Sequence, residues 1–180
     1  TTVVTPTGFV PGTVYNWTSS NTAIGLAASG TGNIPSFVTT NTGNTPISST
    51  IIITPTYTNG GVSCSGAPIT FTITVNPIPN VNGVNDQVIC NGSTTTGVTF
   101  TGNVVGTVYN WSNTNAAIGL GASGVGDIAS FVTTNTTNAT ISGTITATPI
   151  YTNAGLGCTG AQTSFTIAVN PIPTVNAVAN

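Results

Sequence analysis

The stretch Phe71-Thr72-Ile73-Thr74-Val75-Asn76-Pro77-Ile78-Pro79 returns with one change as Phe165-Thr166-Ile167-Ala168-Val169-Asn170-Pro171-Ile172-Pro173. In its first half, apolar residues alternate with Thr or Ala, the period-two pattern of a strand with one face buried. Its second half cannot extend a ladder. Proline has no N–H to donate, and it pushes the residue before it into an extended conformation. A half-buried strand followed by a stiff break, occurring twice, predicts β-domains joined in tandem.

Other stretches recur at the same spacing. TVYNW runs from Thr13 to Trp17 and from Thr107 to Trp111. SFVTTNT runs from Ser36 to Thr42 and from Ser130 to Thr136. The offset is about 94 residues without insertion or deletion, and roughly two thirds of the overlapping positions are identical. Solenoid repeats run ~20–50 residues, so this period is that of a whole domain. A domain of about 100 residues with short strands between Asn/Gly/Ser/Thr turns fits an immunoglobulin-like sandwich of two packed antiparallel sheets, with about seven strands per unit. The expected division is residues 1–77, a repeat lacking its first strand, then 78–171, a complete repeat, then 172–180, the start of the next. Pro77, Pro79, Pro171 and Pro173 are read as linker residues. Trp17, Trp111, Tyr15, Tyr109, Phe71 and Phe165 are read as core.

Composition excludes several functions. The 180 residues include no Lys, Arg, His or Met and only two carboxylate side chains, Asp86 and Asp127. Soluble domains usually carry about 25% charged residues; here the figure is 1%. Without cations there is no basic patch for nucleic acid or for anionic lipid. No apolar run approaches the ~20 residues of a membrane-spanning helix, so the chain is not expected to be membrane-embedded. The hydrophobic fraction is ordinary, and Val, Ile and Thr favour pleated strands, which argues for a folded all-β protein rather than disorder.

Catalysis lacks its equipment. Serine and cysteine nucleophiles have no His or Lys base. Asp86 aligns with Asn180 and Asp127 with Asn33, so neither acid recurs in the other copy. A calcium site needs 6–8 oxygens, usually with several carboxylates. The GxG stretches Gly30-Thr31-Gly32 and Gly124-Val125-Gly126 lack the following helix and lysine of a phosphate loop. No enzyme activity, metal or cofactor is expected. Sequons at Asn16, Asn91, Asn110, Asn135 and Asn138 arise readily in so Asn- and Thr-rich a chain. Trp17 and Trp111 could stack on carbohydrate if exposed, whereas a core tryptophan on a central strand is the simpler expectation.

Three cysteines remain. Cys64 and Cys158 are repeat mates, and Cys90, in Val88-Ile89-Cys90-Asn91-Gly92-Ser93-Thr94, has no mate in the chain. Cys90 and Cys158 share a repeat and are expected to form its disulfide, with the partner of Cys64 lying upstream of Thr1. A Cys64–Cys90 bridge and three free thiols are the competing arrangements.

TVYNW, AIGLAASGTGNIPSF, TITATP, GCTG and FTIAVNPIPTVNAVAN together resemble the PKD-like, immunoglobulin-like tandem repeats of giant Bacteroidota surface proteins, including adhesins of the gliding-motility type. The resemblance covers essentially the whole chain. VNPIP followed by a VCNGST-like segment is its most specific part, and the WDFGDG-like motif of PKD domains proper is missing. It implies export by the type IX route, an extracellular or cell-surface location, and a spacer or adhesive role in a filament or fibre. The expected partners are self, through neighbouring repeats or chains, and surface polysaccharide or substratum. The alternatives are a carbohydrate-binding module and a pilin-like subunit that assembles by strand donation.

Overall fold

The computed structural model describes residues 1–176, and the chain divides into two compact units, Thr1–Pro77 and a second beginning at Ile78. The first contains β1 (Val14–Ser19), β2 (Ser29–Thr31), β3 (Ile47–Asn59), β4 (Val62–Ser65) and β5 (Ile69–Val75). The second contains β6 (Gln87–Cys90), β7 (Val108–Asn113), β8 (Ser123–Val125), β9 (Ile141–Asn153), β10 (Leu156–Thr159) and β11 (Thr163–Asn170). Both units are all-β and sandwich-like. Among the described residues the only helical pieces are single 3-10 turns at Thr22–Ile24 and Ala116–Ile118, each capped by an Asn side chain (Asn21, Asn115) and closed by a glycine of positive φ (Gly25, Gly119).

Each unit is organised on its 13-residue strand, β3 or β9. β1 pairs with β3 antiparallel from Val14↔Thr56 to Ser19↔Ile51, and β5 pairs along the other edge from Ile47↔Val75 to Ile53↔Ile69. β7 and β11 repeat this around β9. In β9 the buried residues are Gly143, Ile145, Ala147 and Pro149, the alternation that one covered face imposes. Facing this sheet is irregular chain. Ile24, Leu26 and Ile34 pack with Trp17, Ile51 and Ile53 in the first unit, and Ile118, Leu120 and Ile128 pack with Ile145 and Phe165 in the second. Isolated bridges hold that layer, at Val4↔Ile34, Thr94↔Val132 and Val98↔Ile128. Side chains replace the missing ladders there. Buried Asn135 donates through Nδ2 to the carbonyls of Ala139 and Val169, and its Oδ1 accepts from the Thr137 amide.

Not every pairing is antiparallel. β6 runs parallel to β11, from Ile167↔Gln87 to Asn170↔Cys90. This ladder overturns the expected disulfide. Cys64, Cys90 and Cys158 are all free. Cys90 lies level with Asn170, next to the Val169↔Ile141 rung, whereas Cys158 lies opposite Tyr151. From Ile141 to Tyr151 along β9 is about 30 Å at ~3.3 Å per residue, far beyond the ~7 Å that a bridge allows. Membership of one repeat says nothing about which end of the sheet each cysteine occupies. The opening strand is tied by hydrogen bonds instead: Thr133 Oγ1 donates to the carbonyls of Cys90 and Ser93 at 2.8 and 3.0 Å.

The two tryptophans explain the first glycine of each GxG stretch, and a positive φ explains the second, at Gly32 and Gly126. Trp17 is the register partner of Gly30, and Trp111 of Gly124. A Cβ at either glycine would run into the indole, within 2.6 Å of Cε2 in both units. Overpacking of this kind costs about 1–3 kcal/mol. Gly124→Ala is expected to destabilise the second unit by that amount in urea unfolding followed by Trp111 fluorescence; an unchanged midpoint would contradict this packing.

Candidate functional site

In the second unit the residues before β6 are built into the fold. Val81 is 7% exposed and belongs to the core with Phe100, Tyr109 and Phe165. Asn80 and Asn103 bond reciprocally, each side-chain oxygen accepting the other's backbone N–H at 3.0 and 2.7 Å. Asn82 donates its N–H to the Thr101 carbonyl at 2.8 Å and its Nδ2 to Thr101 Oγ1 at 2.9 Å. The Pro79 carbonyl lies where a Cβ on Gly160 would stand, and the Asn80 carbonyl where a Cβ on Gly102 would stand. Pro79 is therefore packed against its own unit. Pro77 and Pro79 are both fully buried, whereas Pro171 is half-buried and Pro173 exposed.

The first unit has the same surface, and among the described residues nothing occupies it. A groove of about 480 Å³ is lined by Gly8, Phe9, Tyr15, Pro55, Cys64 and Gly66 among others. By the repeat offset these are the mates of Gly102, Asn103, Tyr109, Pro149, Cys158 and Gly160. Burial differs accordingly. Tyr109 and Pro149 are buried, and Tyr15 and Pro55 are only half-buried. Phe9 stands fully in solvent and Val10 is 53% exposed. The strand beside the groove shows the same contrast: Phe165, Ile167 and Val169 are buried, and their mates Phe71, Ile73 and Val75 are half-buried. Among the described residues no strand pairs with the outer edge of β5.

The ionisable groups are committed to structure. Asp86 accepts the Thr166 amide at 2.6 Å, and Asp127 accepts the Phe100 amide at 2.9 Å. Among the described residues no three His, Cys, Asp or Glu side chains gather where a metal could be held. Trp17 is buried and Trp111 half-buried, with both indole nitrogens shielded from solvent and without a hydrogen-bond partner. An exposed stacking face was the observation that a carbohydrate site required, and these positions do not supply it. Asn135, one of the sequons, is buried and engaged through both side-chain atoms.

Sequence reasoning places Tyr15 and Tyr109 in the core and misses that only one of them is covered. The available signal was the pairing of Gly66 with Gly160. Neither has a positive φ, so neither is a glycine for reasons of backbone conformation. No protein-family model matches this chain, and no curated protein matches it either.

Burial raises the Tyr109 phenol above the ordinary tyrosine value of 10.0, and the nearby Asp127 carboxylate adds to the rise. A group whose pKa is higher folded than unfolded contributes stability that is complete below the unfolded value and lost as pH rises through the folded one. The second unit is thus expected to lose stability above about pH 10, and Tyr109→Phe to blunt that loss. Thermal unfolding at a series of alkaline pH values checks both; a Tyr109→Phe profile identical to the parent's would contradict the assignment.

Proposed function

We propose that this chain is a non-catalytic structural segment of a long extracellular filament or adhesin stalk, built from PKD-like, immunoglobulin-like units in tandem. The observation that carries this reading is the repetition itself. One chain contains the same β-unit twice, with the same long central strand, the same Asn-capped turns and the same tryptophan-on-glycine packing. Function in such an arrangement resides in length and surface rather than in a cleft. The resemblance to Bacteroidota surface repeats supports a location at the cell surface after type IX export, in a protein of the gliding-motility adhesin kind. Partners are neighbouring repeats or chains, with surface polysaccharide or substratum as what the fibre touches.

The surface fits a fibre. Soluble β-proteins often guard sheet edges with charges, lysine above all. Here Val88, Val125 and Leu156 stand 72%, 68% and 62% exposed with no cationic side chain anywhere. The second unit protects its edges by brevity instead: β6, β8 and β10 have four, three and four residues. Contacts made by such a surface rest on apolar area and on Thr and Asn hydrogen bonds, which salt screens little.

Antibody raised against this chain is expected to label fibres on intact cells, and those fibres are expected to persist in high salt. Labelling only after the cells are broken, or dissolution of the fibres by salt alone, would sink this reading.

A further inference from the structure

We propose that Asn59, at the tip of the β3–β4 hairpin, is a site of spontaneous modification at which the chain acquires a carboxylate after folding. This goes beyond the spacer reading and does not rest on it. The reaction is intramolecular. The main-chain nitrogen of Gly60 attacks Cγ of Asn59 and gives up its proton, the Cγ–Nδ2 bond breaks, and ammonia leaves with that proton. The five-membered imide that remains is opened by water at either carbonyl, which leaves an aspartyl or an isoaspartyl linkage at position 59. Local structure must supply three things: a following residue with no side chain to crowd the attack, an amide N–H that no acceptor holds, and a side-chain amide free to turn toward it.

Asn-Gly occurs at Asn59, Asn82 and Asn91. The fold holds two of these. Asn91 Oδ1 accepts the Asn135 amide at 2.9 Å, and the Gly92 amide donates to the Thr133 carbonyl at 2.9 Å, so electrophile and nucleophile are both engaged. Asn82 donates Nδ2 to Thr101 Oγ1 and its own N–H to the Thr101 carbonyl, beside the buried Val81. Asn59 differs at each point. It is exposed, and among the described residues no acceptor takes the Gly60 N–H. A Cβ at Gly60 would meet nothing within 4 Å, so the tip is open to water. Gly60 and Gly61 have φ of 56° and 81°, the tight two-residue turn that closes on the Asn59↔Val62 rung. The consequence is electrical as well as covalent. Residues 1–77 contain no charged side chain, and conversion gives them one, taking the formal charge of the chain from −2 to −3. The new carboxylate stands beside Val62, which is 67% exposed, at the head of a β4 edge that has no charge to guard it. An isoaspartyl linkage also adds a methylene to the main chain at that rung and loosens it.

The test holds the purified chain at mildly alkaline pH, samples it over days, digests it with pepsin and reads each Asn-Gly peptide by mass spectrometry. Conversion raises a peptide's mass by the difference between an NH2 and an OH group, and chromatography separates the isoaspartyl form. In the folded chain Asn59 is expected to convert about tenfold or more faster than Asn82 or Asn91, because those two react only when their segments open locally. In denaturant the three are expected to convert at similar rates. Gly60→Ala is expected to slow conversion at Asn59 by about tenfold or more, since a methyl then crowds the attacking nitrogen. The variant is expected to keep the fold, because the mate of Gly60 is Ala154, which takes the same turn position at φ 50°. Equal rates at the three asparagines in the folded chain overturn the proposal, as does an Asn59 that stays intact there. So does a Gly60→Ala chain that converts as fast as the parent. A tenfold lead for Asn59 that persists in denaturant overturns it too, since the selection would then lie in the sequence and not in the fold.

Discussion

Val81 reaches the core of the second unit from a segment that precedes every strand of that unit. The rest of the arrangement depends on that insertion. The two carbonyls flanking the prolyl segment pass so close to Gly102 and Gly160 that no side chain fits there. Once the segment is seated, Tyr109 and Pro149 lose contact with water, and β6 can run along β11 with Ile89 turned toward the core. The cost of ordering the segment is met by apolar area covered on both sides of it. Where no such segment lies, the same tyrosine, proline and inward strand residues remain partly wet.

Absence of charge does not leave the polar groups idle. Asparagine does much of what ion pairs and charged caps do elsewhere. Asn21 and Asn115 cap the 3-10 turns, Asn135 ties a ladderless segment to the end of β11, and Asn80 and Asn103 clasp each other. One pair of differences between the copies shows how tightly this chemistry is coupled to packing. In the first unit Ser19 and Ser49 share a hydrogen bond of 2.8 Å, and Ser49 also accepts the Asn21 amide. In the second unit those positions are Asn113 and Gly143. The larger amide fills the space that glycine leaves, donating to the carbonyls of Asn115 and Leu120. Two small hydroxyls in one unit equal one large amide and no side chain in the other, so total volume and hydrogen bonding are kept.

The alternation in Phe165 to Val169 made the strand, its partner-facing side and the all-β class readable without coordinates, because period two has a single structural meaning in so short a run. The fixed offset made the duplication readable too. The cysteines misled because a repeat assigns two residues to one unit and is silent about the ends of the sheet they occupy. Trp17 and Gly30 were visible as residues but not as a pair, since their contact depends on the β1–β2 register, which short turns do not announce. The groove was least legible of all. Its residues are ordinary core types, and only the unequal burial of identical side chains in two copies reveals that one site is covered and the other is not.

The parallel contact of β6 with β11 has a mechanical meaning. Tension applied to the second unit through the chain is met first by the seated Pro79 to Asn82 segment, passes from there to the start of β6, and leaves at the end of β11. Because the two strands point the same way, the entry and exit points lie at opposite ends of the shared ladder. Pulling then slides one strand along the other and loads all the rungs at once, where an antiparallel pair joined by a hairpin would open one rung at a time. A unit closed in this manner resists a pull along its chain as a shear clamp.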